Sequence, residues 1–135
     1  MNIINMNKVG VGESVLLTIH AKQIYSSERI SVSAGETYLI SAEPNQRWKD
    51  WLINTTPKGF FNPLAILAGL RLKRTPCFCL CGAYNENEKH LFAIGLDAQT
   101  TVPARQSSLS FFANDAIRHY DNNSGSIKIK VYRVR

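Results

Sequence analysis

Two runs near the end of the chain, Ser107–Phe112 and Ser126–Tyr132, alternate apolar and polar residues with the period of a β-strand. Ser14–Ala21 is rich in β-branched residues and bounded by polar ones, so it is read as another strand. Ile30–Ser33 alternates briefly, and Ala34-Gly35-Glu36 turns the chain into a strand over Thr37–Ala42. Glu43-Pro44-Asn45-Gln46 breaks the pattern. Cys77–Tyr84 reads as a buried strand, with Cys77, Cys79 and Cys81 on one face and Phe78 and Leu80 on the other. A hairpin turn over Tyr84–Lys89 leads to a strand at His90–Gly95, a loop at Asp97–Thr100 and a short edge segment at Thr101-Val102-Pro103. Met1–Glu13 is expected to be a loose lead-in, and Asn54–Gly59 a loop.

Helical signals occur in one place. Asn62 before Pro63 suits an N-cap and first helical residue, and Gly69 suits the exit. Apolar residues wrap most of the way round Leu64–Leu70, so this short helix is expected to be largely covered. Short strands at regular spacing around one short helix predict a single all-β domain over residues 1–135, an antiparallel β-sandwich.

The densest chemistry lies between the last two strands. Asp115, Asp121, Asn122 and Asn123 crowd into one segment ahead of Ser124-Gly125. Calcium takes six to eight oxygen ligands, so such a segment suits a hard cation. The same residue types also make ordinary turns, and a plain polar hairpin loop stands as the alternative. Trp48 and Trp51 flank Asp50. They are candidates to stack on a sugar ring, although a tryptophan is more often a core anchor.

Several classes are disfavoured. His20, His90 and His119 lie far apart, and no nucleophile elbow, phosphate loop or His-Glu-x-x-His motif occurs, so no enzyme is read here. Cys-x-Cys-x-Cys does not have zinc's usual paired spacing, and buried small apolar thiols account for it better. No apolar run approaches a membrane span, so no membrane partner is expected. Met1–Gly10 lacks both a charged and an apolar leader region, which predicts a cytoplasmic protein or release by a non-standard route. The net charge is +6, but the basic residues are scattered and no nucleic-acid motif accompanies them. A solvated basic surface is the better account.

Phe112-Ala113-Asn114-Asp115, then Ala116–Asp121, then Asn122-Asn123-Ser124-Gly125-Ser126 resembles the C-terminal part of the LecA-type (PA-IL-type) bacterial galactose-binding lectins. In that family a strand runs into Asn-Asp, a short loop, an Asn pair, Ser-Gly and a final strand. Leu91-Phe92-Ala93-Ile94-Gly95 with Thr101-Val102-Pro103 is similar to the family's preceding strand and Pro-containing turn. Gly35-Glu36 leading to Trp48 and Trp51 resembles its Gly-Asp turn and Trp-x-x-Tyr loop. Asn54–Thr75 departs from the family and contains no histidine.

The resemblance implies a jelly-roll-like, galactose-binding-domain-like sandwich with Ca2+ between two loops. The side chains of Asp115, Asn122 and Asn123 would hold the ion, with backbone carbonyls from His119 and Trp51. A galactoside or related glycan would then meet Asp115, Ala116 and Asn122, with Trp48 or Trp51 lining the site. Weak single sites of this kind gain from multivalency, so a homo-oligomer is expected. The rival reading is a protein-interaction or structural module of the same fold. A basic nucleic-acid binder is the third class.

Overall fold

The computed structural model describes residues 3–135. In chain order its strands are β1 (Asn5–Lys8), β2 (Ser14–His20), β3 (Glu28–Ser31), β4 (Thr37–Ala42), β5 (Trp48–Asp50) and β6 (Ile53–Thr55). After the helix α1 (Pro63–Leu67) come β7 (Leu80–Tyr84), β8 (Leu91–Ala93), β9 (Asp97–Thr101), β10 (Ser108–Ala113), β11 (Asn123–Ser124) and β12 (Ser126–Arg133). A 3-10 helix, Ile117–Asn122, precedes β11. The protein is an all-β sandwich.

Alternation explains the first layer. Ile127, Ile129 and Val131 on β12 are buried, while Ser126, Lys128 and Lys130 between them face solvent. Their neighbours continue the stripe: Val131 lies opposite Val15 and Ile40, and Ile129 opposite Leu17. The resulting sheet runs β2-β12-β4-β9. Facing it is a sheet of order β1-β3-β10-β7-β8, which turns Ile30, Leu80, Leu109 and Phe111 into the same core. Each such side chain contributes roughly 1.5–3 kcal/mol through burial.

β10 is buried on both faces beyond Ser108, and there its alternation gives way to Phe111, Phe112 and Ala113 in succession. Its outer face, with Cys79, Cys81 and Ala83, forms a second small cluster around Phe112. Arg71 covers that cluster. Its guanidinium lies 3.6 Å from the Phe112 ring centroid and grips Glu88 through Nε and Nη2 at 2.9 and 2.7 Å. A cation held over an aromatic face and satisfied by a carboxylate can be buried without a large penalty.

Several sequence expectations are corrected. The N-terminal segment is not wholly loose, because β1 pairs with β3, and it does so in parallel. Its side chains are mostly exposed, so main-chain bonding holds it and no alternation announces it. Asp97–Thr100 is not a loop but most of β9, an edge strand paired with β4. Asn54–Gly59 begins in β6, the second arm of a hairpin with β5. Cys77–Tyr84 is not one strand: Phe78 takes φ 64° and breaks it. Cys77 therefore joins the main core, and Cys79 and Cys81 the outer cluster. The helix starts as expected, with Asn62 Oδ1 accepting from the Leu64 amide at 3.1 Å. It is not covered, however. None of its residues is buried, and Leu67 is 84% exposed.

Candidate functional site

A three-stranded ribbon, β11-β5-β6, forms a third sheet beside the two of the sandwich. Its register sets Asn123 directly opposite Asp50 and Ser124 opposite Lys49. The β5–β6 turn contains Trp51 at φ 56°, a conformation that bulky side chains seldom adopt. The Trp51 amide donates to the Asn122 carbonyl at 3.0 Å, tying this turn to the end of the 3-10 helix.

Asp115 arrives from the other direction, just past β10. The residue before it, Asn114, is fully buried and donates to the carbonyls of Leu72, Thr75 and Pro76, while accepting from the Leu72 amide. That amide fastens residues 72–76 to the strand end and fixes where Asp115 begins. Asp115 Oδ1 accepts from the Ala116 amide at 2.8 Å. Its Oδ2 is buried and has no hydrogen-bond partner among the described residues. Asn123 shows the same feature: Nδ2 donates to the Ala21 carbonyl at 3.1 Å, and Oδ1 is buried without a partner.

Above these groups opens a cavity of about 250 Å³. Asp50, Trp51 and Ile53 line one side, and Leu64, Ala65 and Ala68 of the α1 segment another. Asn62, Asp115, His119 and Asn122 complete it. Four of the sequence candidates, Trp51, Asp115, His119 and Asn122, thus share one pocket, with the Asn123 side chain beside Asp115. Ala116 is buried next to Asp115.

Trp48 is corrected as a sugar-contacting candidate. It is 1% exposed, packs edge-on against Phe78 and donates its indole N–H to the Phe78 carbonyl at 3.2 Å. Trp51 is 67% exposed. The first tryptophan is a core anchor and the second belongs to the pocket.

Two residues were missed as site candidates. Asp50 and Cys77 have ligand atoms that, with one from Asp115, all lie within 4.8 Å of one another. Cys77 Sγ is 3.7 Å from Asp50 Oδ2. The only sequence signal for Asp50 was its place between two tryptophans, and Cys77 was set aside with Cys79 and Cys81 as a buried apolar thiol because their spacing does not suit zinc. The electrostatics reflect the crowding. Burial, partly offset by the Ala116 amide and Asn123, pushes the Asp115 carboxyl up from its ordinary range. Burial and then the Asp115 charge push Asp50 up as well. Burial, reinforced by both carboxylates, pushes the Cys77 thiol up to about 12. Carboxylates deprived of water beside unpartnered oxygens form a negative pocket, in which burial outweighs the nearby Arg71 and His119.

No protein-family model matches this sequence, and no curated protein matches it. Solved structures do. The chain is similar to the "EclA N-terminal domain; PllA-like lectin", with a TM-score of 0.62 and 22% identity over 87% of this chain and 94% of that one. At that identity the likeness is one of fold. A periplasmic inhibitor of g-type lysozyme, PliG from Aeromonas hydrophila, aligns over 97% of both chains at 11% identity and a TM-score of 0.43, which carries no argument.

Proposed function

We propose that this protein is a calcium-dependent, non-catalytic carbohydrate-binding protein, with the ion seated in the pocket beneath Trp51. The observation that carries the reading is the pair of buried, unpartnered oxygens, Asp115 Oδ2 and Asn123 Oδ1. Buried acceptors without a donor are costly, on the order of 1–3 kcal/mol each, and a hard cation is the partner that satisfies several at once. The donor types suit calcium: Asp115, Asn122 and Asn123 would offer side-chain oxygens, and His119 and Trp51, which line the same pocket, would add backbone carbonyls.

When bound, calcium supplies coordination positions that two neighbouring sugar hydroxyls can fill. The chain's own residues do the rest. Asp115 accepts hydrogen bonds from those hydroxyls, and the Asn122 amide both donates and accepts. The exposed indole of Trp51 offers an apolar face to the sugar ring. A galactoside is the first glycan to test, on the resemblance of residues 112–126 to the galactose-binding lectins, and the shared fold with a lectin domain supports the class. An oligomer would raise the avidity of a single weak sugar site.

Thermal unfolding in EDTA, in millimolar calcium, and in calcium with galactose tests the proposal. Saturating a folded-state site at 100 times its Kd adds about 2.7 kcal/mol, several degrees for a domain of this size. Calcium should raise the midpoint of the native chain and leave Asp115→Asn unmoved, and galactose should add a further rise. No response to calcium returns the protein to the interaction-module reading.

A further inference from the structure

We infer that Asp50, Cys77 and Asp115 form a second metal-binding constellation, reaching from the pocket's two carboxylates to the buried thiol behind them and suited to a borderline-soft divalent cation of the zinc type. A calcium shell is built of oxygen and has no use for a thiol. Here a buried thiol stands beside Asp50 all the same, put there by the positive φ at Phe78, which turns Cys77 away from the cluster that holds Cys79 and Cys81.

The distances suit the assignment. Zinc–sulfur and zinc–oxygen bonds of about 2.3 and 2.1 Å at a tetrahedral angle place sulfur and oxygen about 3.6 Å apart. Cys77 Sγ and Asp50 Oδ2 are 3.7 Å apart, with an Asp115 oxygen inside the same 4.8 Å group. Independently of that trio, Asn123 Oδ1, on a residue 1% exposed, lies unpartnered on the strand facing Asp50. It is a candidate fourth donor where a water does not take the place. Binding replaces the Cys77 S–H bond with an S–metal bond and releases one proton to solvent. Asp115 serves both this constellation and the calcium reading, so zinc and calcium exclude one another. That exclusion rests on the proposed calcium site, whereas zinc binding itself does not.

Cadmium, a spectroscopic stand-in for zinc, tests the assignment through its thiolate charge-transfer absorption in the ultraviolet. One equivalent per chain should develop the band in the native protein and in the Cys79→Ala/Cys81→Ala variant. The band should vanish in Cys77→Ser, with circular dichroism confirming its fold, and Asp50→Asn should weaken cadmium binding about tenfold or more. Absence of the band in the native protein overturns the inference, as does a band that survives in Cys77→Ser. Calcium-induced midpoint shifts on the same samples separate the two readings. A cadmium band without a calcium shift leaves the thiol site standing and removes the lectin-type ion site, and the reverse removes only the thiol site.

Discussion

Asn123 sits directly across the β11–β5 ladder from Asp50, and its own side chain lies beside Asp115. One residue of a two-residue strand therefore joins two carboxylates carried by distant parts of the chain. Pairing of Ser124 with Lys49 is the only further rung of that ladder. The pocket floor depends on a short piece of backbone pairing, and its integrity can be read through single substitutions.

Asp115→Asn should stabilise the metal-free protein. The native carboxylate is buried, carries an unpartnered oxygen and faces Asp50, so neutralising it removes a penalty on the order of 1 kcal/mol. Differential scanning calorimetry in EDTA should show a midpoint a few degrees above native. A fall instead would mean that the Asp115 charge has a partner in the folded protein.

Trp48 and Trp51 should separate cleanly. Trp48→Ala removes a fully buried indole and should cost about 3–5 kcal/mol in denaturant unfolding. Trp51→Ala should change stability little and abolish the part of the emission that responds to calcium and sugar. Emission that still responds in Trp51→Ala would move the binding site away from this pocket.

Gly125→Ala should destabilise by about 1–2 kcal/mol. Its φ of 85° disfavours any side chain, and a Cβ there would stand 3.3 Å from Trp48 Cα. The push falls on β5, so metal affinity should weaken with stability, in contrast to a simple surface substitution. Equilibrium urea titration with and without calcium checks both effects.

Acid should weaken the Arg71 clamp before the core gives way. Burial alone would raise the Glu88 carboxyl, but hydrogen bonds from Arg71 and Tyr25 and the Arg71 charge outweigh it and hold the group below its ordinary value. A depressed carboxyl stabilises the fold above its unfolded pKa, about 4.3, and loses that contribution as pH falls through the folded value. Glu88→Gln should therefore unfold more easily than native near neutrality, and the gap should close below about pH 4. A gap that persists in acid would assign the effect to packing and not to charge.

The sandwich was legible wherever a strand buries one face. Lys128 and Lys130 between buried apolar neighbours on β12 mark it in the sequence, as the Asn62-Pro63 pair marks the start of α1. β1 was not legible, because edge pairing leaves its side chains in water. α1 misled for the opposite reason: Leu64 and Leu67 look like core residues yet meet none. The oxygen-rich segment around Asp115 could be picked out because side-chain type carries the signal. Asp50 and Cys77 could not, since their arrival depends on the register of a two-residue strand and on the backbone sign of φ at Phe78.

α1 forms a wall of the pocket, yet not one of its side chains is sunk in the core. Substitutions at Leu64 or Leu67 therefore carry little stability cost, as is usual for exposed positions. The floor is locked into the sandwich, while this wall can be rewritten. Descendants of the protein can explore new ligands along α1 while the scaffold beneath stays the same.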